Sequence, residues 1–122
     1  MKQTVAVAIL FAAVLVGVGF NAFYINMVAK RLDAMIDALP AEPDDNSFSE
    51  AERILQYWKK EAPTVGLSVS YTVTDRVSEQ ATSLAAYAAV KDLAGYRSSL
   101  DLLHDAVGDM RRLEQFSIGN LF

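Results

Sequence analysis

Between Lys2 and Lys30 the chain carries no charged residue, and no other feature narrows its possible folds as much. The heart of this run, VAVAILFAAVLVGVGF from Val5 to Phe20, holds ten Val, Ile, Leu or Phe residues. At about −0.3 to −0.6 kcal/mol each, these favour bilayer insertion by roughly 3–6 kcal/mol before Gly17 and Gly19 are counted against them. A helix crossing ~30 Å of hydrocarbon needs about 20 residues, and the run supplies them when extended to Tyr24. Phe20, Phe23 and Tyr24 then fall where an interfacial aromatic belt belongs. The rival is a cleaved signal peptide. The apolar region is long for one, no Ala-x-Ala site follows it, and Gly17-Val18-Gly19 is a poor substitute. Residues 1–29 are therefore expected to form an uncleaved signal-anchor, with the lipid bilayer as partner through residues 4–24. Lys2 and the α-amine on one side nearly balance Lys30 and Arg31 on the other, the latter diluted by Asp33 and Asp37. With so short a tail before the span, translocation of residues 30–122 is the default, placing them on the extracytoplasmic side of a cell membrane. Ala13-x-x-x-Gly17 is a small-xxx-small pair of the kind that packs two spans together, a spacing common by chance in such runs.

The remainder of the 122 residues suffices for one small domain. There is no cysteine, which excludes disulfides, thiolate metal sites, cysteine nucleophiles and lipoprotein-type acylation. A small extracytoplasmic domain of this kind must be held by helix packing. From Lys30 onward ten basic residues face fifteen acidic ones. That balance argues against a nucleic-acid partner and against adhesion to anionic headgroups.

Helical periodicity dominates residues 30–122. Val28, Leu32, Met35 and Leu39 continue the first helix on one face until Pro40. PAEPDDNS is the one obvious linker. Ser49 with Glu52 forms a capping box opening a short helix with Ala51, Ile54, Leu55 and Trp58 on its inner face, and Pro63 marks its end or a kink. Val77, Ala81, Leu84 and Ala88 form a stripe, Lys91-Asp92 a tight turn with Asp92 as N-cap. Tyr96, Leu100, Leu103, Val107, Met110 and Ile118, with Leu113 beside them, make the clearest seam. Gly119-Asn120 reads as a C-terminal stop. The expected fold is all-α: a membrane-spanning helix running past the surface, then a short helix and a long antiparallel hairpin, in a bundle of three or four helices.

One stretch resists assignment. In VGLSVSYTVTD, Val65 to Asp75, apolar and small polar residues alternate as in a half-buried strand, yet no second alternating run exists to pair with it. As a helix it places Val69, Val73 and Val77 on one face, at a propensity cost of roughly 4 kcal/mol against alanine. The pattern leaves both open.

Trp58, Tyr71 thirteen residues on, Asp75 four further, and the closing EQFSIGNLF together resemble the domain of unknown function 4363 family. That resemblance implies a small bacterial envelope protein with one N-terminal span and a helical extracytoplasmic part. Trp58, Asp75, Glu114 and Asn120 match its pattern of a tryptophan, a His-x-x-x-Asp element and a Glu-x-x-x-x-x-Asn ending. Tyr71 stands in the histidine's place, which bears against a proton-transfer or metal role for the element. The resemblance implies helix for Val65–Asp75, and no activity.

Chemistry-bearing constellations are few. Asp101, His104 and Asp105 lie at i, i+3 and i+4, a spacing able to gather two carboxylates and an imidazole. The simpler expectation is a solvated face with Arg97 paired to Asp101 and Arg112 to Asp109. His104 is the only histidine and no nucleophile motif accompanies it. Nothing resembles a phosphate loop or a hydrolase carboxylate pair. No catalytic, cofactor or metal site is expected. Trp58, Tyr71, Asp75, Glu114, Asn120 and Phe122 are the candidate partner or tail-docking contacts. The expected function is that of a non-enzymatic, membrane-anchored accessory or assembly protein binding another envelope protein through its helical domain. The alternative is an extracytoplasmic ligand-sensing module working with a partner membrane protein.

Overall fold

The computed structural model describes the backbone of residues 1–67 and 69–121, and side chains as far as Arg112 with Ser68 excepted. Four helices account for nearly all of it: α1 (Lys2–Asp37), α2 (Ser47–Val65), α3 (Tyr71–Ala89) and α4 (Leu93–Leu121). No strand occurs among the described residues. Each helix packs on two neighbours, α1 on α2 and α4, α3 on α2 and α4, which closes an up-down-up-down bundle.

The first helix divides into two environments. From Val5 to Phe20 most of its large side chains stand away from the protein, with Phe11 64% and Phe20 72% exposed and Leu15 and Val18 half-buried. From Ala22 onward Ile25, Val28, Ala29, Leu32 and Ile36 are buried in the bundle. The helix is long and apolar enough to cross a membrane. At 1.5 Å per residue it extends about 54 Å, more than a bilayer core requires. The bundle thus begins at Ala22, inside the segment assigned by sequence to the anchor. The domain boundary placed at residues 29 and 30 falls within a continuous helix.

The core joins Trp58 and Ile54 of α2, Val77 and Leu84 of α3, and Tyr96, Leu103, Val107 and Met110 of α4 to the inner face of α1. The α4 seam is as its periodicity predicts through Met110. Leu113 and Ile118 lie outside the described side chains. Tyr96 is fully buried, and its hydroxyl donates to the Pro40 carbonyl at 2.8 Å, satisfying the one polar atom that burial would orphan. Burial in turn raises the Tyr96 pKa.

Several local expectations are corrected. Helix α2 starts at Ser47, two residues before the Ser49 capping box. Asp44 and Ser47 instead fasten the turn ahead of the helix: the Asp44 amide donates to Ser47 Oγ at 2.7 Å, the Ser47 hydroxyl to Asp44 Oδ1 at 3.0 Å and the Asn46 amide to Asp44 Oδ1 at 2.9 Å, while the N-cap residue Asn46 makes no side-chain cap bond. The Ser47 hydroxyl, followed by the Asn46 amide, holds the Asp44 carboxyl below its ordinary pKa. Pro63 lies inside α2 and does not end it. Val65–Asp75 is neither a strand nor one continuous helix: α2 closes at Val65, and α3 opens at Tyr71 from an extended Ser70 (ψ 136°). Helix α4 continues through Gly119 and Asn120 to Leu121. Arg97 turns away from Asp101 toward Glu42, at 3.8 Å. Arg112 does pair with Asp109.

The turn at Lys91-Asp92 is as expected. It is a Schellman arrangement: the Asp92 amide donates to the Tyr87 carbonyl and the Lys91 amide to that of Ala88, with Lys91 left-handed at φ 54°. Asp92 then caps α4 by accepting from the Gly95 amide at 3.1 Å.

Candidate functional site

A surface groove of about 450 Å³ runs between α2 and α3. The spacing of its lining follows from helix geometry. Leu55, Trp58 and Ala62 recur along one face of α2, and Tyr71, Thr74, Asp75, Ser78 and Thr82 along one face of α3. Pro63, Gly66 and Leu67 close the lower end, where the chain turns from one helix to the other.

The α3 wall is polar in composition but largely satisfied within its own helix. Thr74 Oγ1 donates to the Tyr71 carbonyl at 3.0 Å, Ser78 Oγ to that of Thr74 at 3.0 Å, and Thr82 Oγ1 to that of Ser78 at 2.8 Å. Such back-bonding is how Ser and Thr are accommodated in a helix interior. Ser78 also accepts from Trp58 Nε1 at 2.8 Å, so one hydroxyl links the α3 backbone to the indole of α2. Trp58 is fully buried and forms the floor. Leu67 and Tyr71, 84% and 79% exposed, stand at the lower mouth. Lys59 lines the α2 side and Asp75 the α3 side, giving the walls opposite charge.

Three of the six candidate contact residues, Trp58, Tyr71 and Asp75, are therefore brought together. No hydrogen bond joins Tyr71 to Asp75 among the described residues; each faces the groove separately. The side chains of Glu114 and Asn120, and all of Phe122, lie outside the described residues. Leu55, Ser78, Thr82 and Leu67 were missed by sequence reasoning. The four-residue recurrence of Thr74, Ser78 and Thr82 was the available signal, and it needed the helix register that the Val65–Asp75 pattern left open.

Asp101, His104 and Asp105 do not gather. Asp101 and His104 border a shallow hollow with Ile36, Leu39 and Leu100, while His104 Nδ1 lies 3.6 Å from Asp33 Oδ1 across the α1–α4 contact. Arg111 reaches Asp33 Oδ2 at 3.4 Å. Among the described residues no group of three or more His, Cys, Asp or Glu side chains is placed to hold a metal ion. The groove offers an apolar floor, an exposed aromatic and leucine, and one charge of each sign. That arrangement can bind an amphipathic surface.

No family model, no curated protein and no solved structure matches the chain.

Proposed function

We propose that this chain is a membrane-anchored accessory protein, without catalysis of its own, that binds another envelope protein through the groove between α2 and α3. The observation that carries this reading is the continuity of α1, whose exposed apolar half and bundle-forming half are one helix. A domain so mounted holds the groove at a set height above the membrane, on the extracytoplasmic side by the orientation expected from the sequence. The apolar floor of Leu55, Trp58 and Ala62, between Lys59 on one wall and Asp75 on the other, supplies the aromatic and apolar surface that interfaces favour.

The test is photocrosslinking in native membranes from Asp75 and from Thr82, with Gln56 on a different face of α2 as control. Both groove positions are expected to capture the same membrane-anchored protein, and Ala62→Trp, which fills the groove, to abolish capture. No protein adduct at either position would overturn the proposal. Capture that persists in Ala62→Trp would move the interface off this groove.

A further inference from the structure

We infer that the turn between α2 and α3 is a second membrane contact, with Leu67 and Tyr71 seated in the headgroup region beside the point where α1 enters the bilayer. This rests on the reading of α1 as a span. The height of the turn follows from two contacts. The Arg31 guanidinium lies 5.2 Å from the Tyr57 ring centre, and the Tyr24 hydroxyl donates to Glu61. Passing from the first pair to the second moves back along α1 and forward along α2, so the helices are antiparallel. One further turn in each direction reaches Phe20 on α1 and Val65 at the end of α2. The turn is therefore level with Phe20 and Phe23, whose rings are 72% and 68% exposed and sit where an aromatic belt is expected.

The chemistry of the two ends of the bundle agrees. Residues 66–70 carry no charge in the sequence, and Leu67 and Tyr71 are an apolar and an amphipathic side chain turned outward. Lys59 and Lys60, both exposed, lie about two turns up α2 from Leu67, at a height where ammonium groups meet lipid phosphates while their stems cover apolar surface. The opposite end has exposed apolar residues as well, Phe48, Val90 and Leu93, but they stand among Asp45, Lys91 and Asp92, and the α1–α2 connection there adds Glu42 and Asp44. The carboxylates nearest the turn, Glu61 and Asp75, stand one helical turn above it on α2 and α3. At the far end the connections themselves carry Glu42, Asp44, Asp45 and Asp92, which contact with a bilayer would desolvate.

The absence of cysteine makes the test direct. Single variants Leu67→Cys, Phe20→Cys and Glu42→Cys of the full chain are labelled with an environment-sensitive fluorophore and reconstituted in phosphatidylcholine vesicles. Each is quenched by aqueous iodide or by a nitroxide borne on the lipid headgroup. The Leu67 label is expected to follow the Phe20 label, blue-shifted, quenched by the nitroxide, and several-fold less sensitive to iodide than the Glu42 label. An iodide-exposed Leu67 label with a shielded Phe20 label overturns the second contact and leaves the span. Exposure of both overturns the span, and this inference with it. A Leu67 label shielded from iodide yet untouched by the nitroxide is covered by protein, which also overturns lipid contact.

Discussion

Asp109 shows how one residue ties the α3–α4 contact to pH. Its carboxylate accepts from Arg76 of α3 at 2.8 Å and from Arg112 of its own helix. Arg76 foremost, then Arg112, outweigh partial burial and hold the Asp109 pKa below its ordinary value. A lowered folded-state pKa contributes stability that is complete above the unfolded value, about 3.9, and is lost as pH falls through the folded one. Asp109→Asn should therefore be less stable than the parent at neutral pH, by under about 1 kcal/mol for so solvent-exposed a pair. The difference should shrink as pH drops below about 4. Urea denaturation at several pH values, followed by Trp58 fluorescence, measures it; a difference independent of pH would show that the ionic contact contributes nothing. At this scale the sequence was legible for Arg112 and Asp109, three apart on one helix. It was silent on Arg76, whose approach depends on how α3 packs.

Among the elements, the α3–α4 hairpin is the most closely fitted. A Cβ built on Gly95 would lie 2.3 Å from the Tyr87 ring, so this glycine lets the start of α4 approach the end of α3. Gly95→Ala should destabilise by about 1–3 kcal/mol, despite alanine's better helix propensity. The double variant with Tyr87→Ala should recover most of the loss in the same denaturation assay. A single variant as stable as the parent would mean that the ring swings aside at no cost. The α4 seam was readable because five buried or half-buried residues from Tyr96 to Met110 keep a strict helical spacing. The stretch Val65–Asp75 was not, because β-branched, Ser and Thr residues express no firm preference and two periods fit. Packing decides there: Val65 and Val69 are both buried on opposite sides of a reversal, and Ser70 restarts the helix. The same reversal supplies Leu67 and one end of the groove. The part of the site least visible in sequence is thus the part set by tertiary structure.

For the whole molecule, the decisive fact is that the apolar helix α1 and the bundle share residues. Ile25 and Val28 are fully buried, and each contributes about 1.5–3 kcal/mol by leaving water. A fragment of residues 30–122 loses both, together with Ala29, and should be several kcal/mol less stable than residues 21–122, or fail to fold. Circular dichroism with thermal melts of the two fragments measures the difference; equal melting temperatures would show that the buried part of α1 before Lys30 is dispensable. Charge is also sorted along the bundle axis. Lys30, Arg31, Lys59, Lys60, Arg76, Arg111 and Arg112 share the half near Phe20 with Asp33, Glu61, Asp75 and Asp109, whereas at the far end Asp37, Glu42, Asp44, Asp45, Glu50, Glu52 and Asp92 outnumber Arg53, Lys91 and Arg97. An average over the chain, acidic throughout, conceals this polarity.

The unbroken course of α1 has a mechanical consequence. On the proposed reading, with its apolar half in lipid, the helix is a post, not a tether. From Ala22 to Asp37 it rises about 22 Å, and the groove is carried at a fixed radius and height on its flank. Any tilt or rotation of the buried half swings the groove through the same angle, because no hinge separates the two. On the proposed function, a partner is then met by lateral diffusion in a thin layer over the membrane, a search in two dimensions.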